Sequence, residues 1–289
     1  MPTGTPETDR TKLVLGRIKS RRKQISFTYL LTLIENIFEL MYPWAIGIAI
    51  NGLLMDKWQL VIPLIVIWVL HIVIGGLRQL YDTRLFTRIY SAMAGDVIAL
   101  QREDSTEVSQ VSARVDMAEE FIDFFETEMP VIFATIISLI GSLVLLFFYD
   151  VWSGLIIAGL FVPIAVINFM TGRRALKMNE AYNTQWEEEV DIVRQAHPRR
   201  TRVHFGRLAQ WKIRLSDIEV VSWTSTGVLT LGATILVLVR VAGIPGVLAG
   251  DIFASLAYVL RIEQALDRVP ETVQQVGRLI DIRRRIRSL

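Results

Sequence analysis

Six apolar runs dominate this sequence of 289 residues. A helix needs about 20 mostly apolar residues to cross the hydrocarbon core of a bilayer, and each run meets that length. The runs cover about residues 26–54, 60–80, 129–148, 151–171, 220–241 and 244–266. Hydrophobic residues make up 52% of the chain, more than a soluble domain ordinarily carries. The sequence therefore predicts an all-α, polytopic membrane protein with six transmembrane helices.

The connections between these runs are of two kinds. Three are short turns, at 55–59, 149–150 and 242–243. The other two, 81–128 and 172–219, are long and charged, and their apolar residues recur at helical spacing. In the second we expect helices over 173–195 and 202–219, separated by a break at Pro198. Each long connection is thus predicted to be a helical hairpin with arms of about 30 Å that continue the neighbouring spans.

Positive charge is distributed unevenly along the chain. Of the 31 Lys and Arg residues, 29 lie in the amino-terminal tail, in 78–128, in 172–219 or from Arg261 onward, and the two exceptions are Lys57 and Arg240. The positive-inside rule then places both termini and both hairpins in the cytoplasm, as in a multi-pass protein of a bacterial-type inner membrane. We expect a basic cytoplasmic segment at 1–25, a transmembrane domain at 26–272 and a basic helix end at 273–289.

The first span carries polar residues on one helical face, including two carboxylates, Glu35 and Glu39. A charge at such depth costs roughly 3 kcal/mol and usually faces a bundle interior or a water-filled cavity. The candidate cavity residues are Glu35, Glu39, His71, Thr230, Arg261 and Glu263.

Two interpretations of the carboxylates remain open from the sequence. In the first, Glu35 or Glu39 pairs with Arg261 or His71 and fixes the packing, with Glu35 nearer the predicted level of Arg261. In the second, the carboxylates bind a cationic or polar solute, or carry a proton, in a transport pathway.

Several kinds of chemistry find no support in the residues. The chain has no cysteine, its three histidines show no metal-binding spacing, and the dipeptide Gly-Lys of a nucleotide phosphate loop never occurs. We therefore expect no catalytic residue, no cofactor and no metal in this chain. The arginine-rich end DIRRRIRSL is interpreted as a solvated helix end beside anionic lipid headgroups, and no nucleic-acid partner is expected.

Three stretches resemble a known family. LIENIFELMYPWAIGIAINGLL, VSQVSARVDMAEEFIDFF and AGDIFASLAYVLRIEQALDRVPETVQQVGRLIDIRRRI are similar, in this order, to parts of the transmembrane domain of ABC exporters with six helices per protomer. The resemblance covers about residues 20–286. It implies that two such domains, most simply a homodimer, enclose a pathway that moves a small, amphipathic or peptide substrate by alternating access.

The resemblance also raises the question of the energy source. A family half-transporter continues with an ATPase domain, whereas this chain ends at Leu289, so we expect ATP only through a separate nucleotide-binding subunit. The family pattern implies docking of such a subunit at the hairpin tips, which here would be Asp104, Ser105, His197, Pro198 and Arg199. The second tip departs from the pattern, because QAHPRRTRVHF lacks the family's glycine. Two alternatives remain: a transporter of this fold driven by a proton or ion gradient, and a structural or regulatory subunit that transports nothing.

Overall fold

The computed structural model describes residues 20–102, 108–195 and 197–287, which are almost entirely helical and include no strand. The helices are α1 (Arg22–Leu40), α2 (Tyr42–Leu54), α3 (Ile62–Arg102), α4 (Val108–Asp123), α5 (Met129–Tyr149), α6 (Val151–Glu187), α7 (Glu189–Gln195), α8 (Pro198–Ala242) and α9 (Ala249–Arg287). A 3-10 turn, Trp58–Val61, precedes α3, and a π turn, Phe124–Glu128, joins α4 to α5. The predicted all-α architecture is confirmed.

Five segments of the described chain are long and apolar enough to cross a membrane. They are Arg22–Leu54, Trp58–Asp96, Ala118–Tyr149, Val151–Arg194 and Pro198–Ala242. Helix α9 is as long as these, but Asp251, Arg261 and Glu263 interrupt its apolar half. The sixth predicted span is therefore a long helix that is not among the five segments apolar enough to cross a membrane by hydropathy.

At two places, a proline or a glycine makes the observed helix boundaries differ from the ends of the predicted apolar runs. The first run is divided at Met41 into α1 and α2, because Pro43 in the first turn of α2 has no backbone N–H to continue the helix. The sixth run begins as a helix only at Ala249, since Gly246 has a φ of 79°, a left-handed conformation that no α-helix contains.

The chain divides into two compact units. The first comprises Met1–Leu145 and Gly246–Leu289, and its long helices α3 and α4 form the expected hairpin around an apolar core. That core is built from Leu85, Phe86, Ile89, Met93, Ala118, Phe121 and Ile122. The predicted tip residues Asp104 and Ser105 lie outside the described residues.

The second unit, Leu146–Pro245, is built on the antiparallel pair α6 and α8. The arm predicted as one helix over 173–195 is interrupted at Glu188, so that α7 is a separate short helix. Pro198 occupies the first turn of α8, and His197 before it is extended, as a residue preceding proline tends to be. The break expected at Pro198 is thus confirmed, with the helix beginning at the proline itself.

Candidate functional site

The first glutamate of the opening span, Glu35, lies in a charged cluster between the antiparallel helices α1 and α3. Arg78 Nε donates a hydrogen bond to Glu35 Oε2, and Arg78 Nη1 lies 2.8 Å from Asp82 Oδ2. His71 Nε2 is 3.9 Å from Glu35 Oε1. We call Glu35, His71, Arg78 and Asp82 the Glu35 cluster.

The carboxylates of this cluster are mostly buried, and Arg78 compensates their charge. The side chains of Glu35, Arg78 and Asp82 are 18%, 21% and 5% exposed. A buried carboxylate retains its charge only where a partner compensates it, and here one guanidinium serves two carboxylates.

Two further contacts position the Glu35 cluster between the helices, one at Gly75 and one at Tyr42. A methyl group added at Gly75 would lie 2.8 Å from Glu35 Oε1, so this glycine leaves the space in which the carboxylate lies against α3. At the other side, the Tyr42 hydroxyl is hydrogen-bonded to His71 Nδ1. Polar groups therefore follow one another along the α1–α3 interface from Tyr42 to Asp82.

The second glutamate, Glu39, belongs to a different cluster, with Arg261 of α9 and Ser138 of α5. Arg261 Nη2 lies 2.7 Å from Glu39 Oε1, Nη1 donates to the Glu39 backbone oxygen at 3.0 Å, and Nε donates to Ser138 Oγ at 3.1 Å. The backbone contact uses a carbonyl that lacks its usual helical partner. Pro43 lies four residues after Glu39 and has no N–H for its carbonyl, so that oxygen is available to the guanidinium.

These contacts correct the pairing suggested by helix depth. The expectation that Glu35 lies nearest Arg261 is wrong, because Arg261 binds Glu39, and Glu35 binds Arg78. The interpretation in which one of the two glutamates pairs with Arg261 is supported for Glu39.

Close packing of α2 on α9 places Arg261 next to α1. The backbones of Gly47 and Gly250 touch, and a methyl group added at Gly250 would lie 1.9 Å from the Gly47 oxygen. Asn51 of α2 accepts a hydrogen bond from the Gly250 N–H at 2.7 Å and donates to Asp251 at 3.3 Å. A side chain of α2 thereby satisfies an N–H in the first turn of α9.

The other candidate residues of the spans are placed as follows. Thr230 is buried in the second unit, where its hydroxyl donates to the Thr226 and Gly227 carbonyls of its own helix, a pattern common for threonine in membrane helices. Glu263 is half-buried on α9, two residues beyond Arg261. The role of either in a cavity stays a prediction.

The candidate docking residues of the second tip are exposed. His197, Pro198 and Arg199 lie at the beginning of α8, on the solvent side of the tip. Docking of an ATPase there stays a prediction.

Sequence reasoning did not identify Arg78 and Asp82 as site residues. Arg78 lies near the end of the apolar run 60–80 and was grouped with the hairpin charges, and Asp82 lies two residues beyond that run. One signal was available: His71, Arg78 and Asp82 are spaced by seven and four, so they share the face of α3 that Gly75 also occupies.

The described residues contain no group of three or more His, Asp or Glu side chains able to hold a metal ion. The expectation that the chain binds neither metal nor cofactor stays a prediction.

The chain matches the model of a known protein family. A family model described as ABC transporter transmembrane region matches residues 15–261, which is most of the chain and includes both glutamate clusters. A search of curated proteins finds no match.

Proposed function

We propose a function from one premise: the chain belongs to the ABC transporter transmembrane family. It is a membrane transporter subunit. We propose that two copies enclose a pathway for a small or amphipathic solute, and that α1 and α9 contribute Glu39 and Arg261 to its wall. The solute moves by alternating access.

The observation that carries this proposal is the exposure of Glu39. Its side chain is 43% exposed, although it lies about 20 Å into the first span if the membrane begins near Ser26. A charge at that depth does not face hydrocarbon but a bundle interior or a water-filled cavity. A second copy that encloses water supplies such a surrounding.

Arg261 gives Glu39 a fixed position without covering it. Three donors of one guanidinium bind the carboxylate, the backbone and Ser138, while part of the carboxylate stays open. An open, positioned carboxylate favours an organic cation or a polar group of the solute.

The proposed energy source is ATP, bound and hydrolysed by a separate nucleotide-binding subunit that docks at the hairpin tips. In this arrangement both termini and both hairpins lie in the cytoplasm of a cell with an inner membrane, as the distribution of Lys and Arg supports.

The natural absence of cysteine makes a direct test simple. Glu39→Cys should react with a charged, membrane-impermeant thiol reagent in intact vesicles, because water reaches that face. Val69→Cys, on an apolar face of α3 that is 51% exposed in the single chain, should resist the reagent as a lipid-facing or buried control.

Transport itself is tested with fluorescent organic cations such as ethidium in vesicles that contain the chain and its ATPase partner. Glu39→Gln should slow their ATP-dependent movement, whereas Arg84→Gln, on an exposed turn of α3, should not. An unreactive Glu39→Cys together with unchanged transport by Glu39→Gln would favour a subunit that transports nothing.

A gradient-driven transporter is the second candidate, and the row of polar groups from Tyr42 through His71 and Glu35 to Asp82 favours it. Rows of ionisable groups within spans serve as proton relays in pumps and transporters. Under an imposed pH gradient without ATP, this mechanism requires that Glu35→Gln or His71→Phe abolish solute movement. Movement that persists in both variants excludes the relay.

A further inference from the structure

A buried histidine, His204, connects the beginning of α8 to the end of α6. His204 is 3% exposed, and its Nδ1 lies 3.1 Å from the amide nitrogen of Gln185 in the last turn of α6. The same amide is hydrogen-bonded to Glu188, the residue at which α6 ends. The proposed function does not use this contact, which depends on the protonation of an imidazole.

The neighbours of His204 determine which ring nitrogen carries its hydrogen. Gln185 Nε2 donates to Glu188 Oε2 at 2.8 Å, and a carboxylate accepts only, so the nitrogen of this amide must face it. The same nitrogen has a second hydrogen, which it donates to His204 Nδ1. The contact therefore requires the neutral ring, with Nδ1 as acceptor and the hydrogen on Nε2.

Protonation of His204 removes the acceptor on which the contact depends. An imidazolium carries hydrogen on both nitrogens, so that Nδ1–H would face the N–H of Gln185, donor against donor. Turning the amide of Gln185 over would offer its oxygen to His204, but would set that oxygen against the carboxylate of Glu188. Neither orientation of Gln185 satisfies both neighbours, and a buried donor without an acceptor is unfavourable.

The charged groups around His204 are mostly positive. The described residues that line the cleft beside it with a charge or a titratable ring are Glu188 at the end of α6 and His197, Arg199, Arg200 and Arg207 of α8 and its cap. From α7, the described lining contains only Ile192, whereas Arg194 pairs with Asp191 at 3.6 Å at exposed positions.

This balance of charge opposes an imidazolium in the closed contact. Arg200 and Arg207 lie four residues before and three residues after His204, on the same face of α8. Like charges at this spacing on a helix repel each other. Glu188 is the one carboxylate among the described lining residues, and it already accepts from Gln185.

We propose that His204 is a pH-sensitive link between α6 and α8, closed while its imidazole is neutral and released when the imidazole binds a proton. Because the released form binds one proton more than the closed form, the closed form is favoured at high pH and is lost as the pH falls. Histidine ordinarily changes its charge between about pH 5 and 8, so a modest acidification is sufficient. The inference goes beyond the proposed function, since it concerns the tip itself and depends neither on an ATPase nor on transport.

Hydrogen exchange of the full chain in nanodiscs tests the link. Exchange of the last turns of α6 and the first turns of α8 is followed at about pH 7.5 and about pH 5.5, with correction for the chemical dependence of exchange on pH. The natural chain should lose protection there by about tenfold at the lower pH, because a hydrogen bond is lost and a buried donor is left unmatched.

Three variants assign the response to His204. His204→Gln cannot be protonated in this range and should show the same protection at both pH values. His197→Gln is the matched control, because it removes an exposed histidine from the same tip and should leave the response of the natural chain unchanged. Gln185→Glu gives Nδ1–H an acceptor and should reverse the direction of the response.

The hydrogen on the ring can be observed directly. The chain has three histidines, so nitrogen-15 labelling of histidine gives few signals, and the His204 signal is the one that His204→Gln removes. At about pH 7.5 this signal should report a ring protonated on Nε2 and not on Nδ1.

Three results would overturn the proposal. The first is protection that stays constant or rises on acidification of the natural chain, the latter meaning that Glu188 binds the imidazolium in place. The second is an unchanged response in His204→Gln. The third is a ring that carries its hydrogen on Nδ1 at about pH 7.5. A folding defect of His204→Gln leaves the first result and the reversal by Gln185→Glu as tests.

Discussion

The two units solve the same packing problem with different chemistry. Each pairs antiparallel membrane helices, α1 with α3 in the first unit and α6 with α8 in the second. Within the first pair the polar contacts are ionic and join Glu35, Arg78 and Asp82. Within the second, the contacts between the middle parts of the helices are neutral: Ser222 donates to Asn168 at 3.1 Å, and Thr171 donates to Ser222 at 3.3 Å. An ion pair, Arg240 with Asp150, lies at the turn that begins α6.

This difference shows that free energy is spent on desolvating charged groups between α1 and α3 of the first unit. Away from the turn that begins α6, neutral hydrogen bonds join α6 to α8, so two membrane helices can pair without charge along their contact. The ionic contacts of the first unit, which cost more to desolvate, are thus the better candidates for a role in transport.

The largest difference between the units should appear when Arg78 is replaced. Arg78→Met leaves Glu35 and Asp82 without their guanidinium and should lower the free energy of unfolding by about 3–5 kcal/mol. Thermal unfolding in detergent, followed by tryptophan fluorescence, measures this loss. Arg84→Met on the same helix is the control, since the Arg84 guanidinium donates to the Leu80 carbonyl at an exposed site. Equal losses in the two variants would contradict an essential ion pair.

The next largest difference is expected from glycine substitutions, which should change the stability of the two units in opposite directions. Gly250→Ala places a methyl group against the Gly47 backbone and should cost about 1–3 kcal/mol through overpacking. Gly232→Ala in α8, which has no atom within 4 Å of an added methyl group, should stabilise the helix by up to about 1 kcal/mol. Unfolding temperatures of the two variants should therefore shift in opposite directions, and a shared direction would argue against the close contact of α2 with α9.

The second unit has its own charged contact, at the turn that begins α6. Asp150 accepts from the Ser153 N–H at 2.8 Å and the Ser153 hydroxyl at 2.9 Å, and lies 3.2 Å from Arg240. Burial alone would raise the pKa of Asp150, but the bonds from Ser153 and Arg240 outweigh it, so its pKa is lowered. Asp150→Ala should cost about 1 kcal/mol as a lost helix cap.

The lowered pKa of Asp150 also predicts a pH dependence. A carboxyl with a lower pKa in the folded than in the unfolded state stabilises the fold at neutral pH, and this contribution is lost as the pH falls below about 4. The unfolding temperature of the natural chain should then fall more steeply with acid than that of Asp150→Asn, which keeps a capping side chain. Parallel curves for the two proteins would show that the charge of Asp150 adds nothing.

The smallest effect is expected at the neutral contact of the second pair. Asn168→Ala removes the acceptor of Ser222 and should cost about 0.6 kcal/mol, the average for hydrogen bonds between membrane helices. Comparison with Arg78→Met by the same unfolding assay measures the contrast between the units directly. A loss as large as that of Arg78→Met would remove the distinction.

Much of the fold could be predicted from local sequence, whereas the pairing of side chains could not. Length and hydropathy predict the spans, and helical spacing predicts the common face of Glu35 and Glu39. Which cation meets which glutamate depends on the rotation and crossing of helices distant in sequence, and depth along one helix carries no such information. Arg78 was missed because it was counted with the cytoplasmic charges of 78–128, whereas α3 places it within hydrogen-bond distance of Glu35.

Pro43 gives a second example. The first span was predicted as one run over 26–54, whereas Pro43 lacks the N–H that would bind the Glu39 carbonyl in an unbroken helix. That Arg261, more than 200 residues later, binds this carbonyl follows only from the packing of α9 on α2.

The two contacts of Arg261 with Glu39 restrict how α9 can move relative to α1. One guanidinium holds both the side chain and the backbone of the same residue, and the Gly47–Gly250 contact lies farther along the same pair of segments. Two separated attachments restrain rotation of α9 against the bend between α1 and α2. We therefore expect a rearrangement of the first unit to move these three helices together.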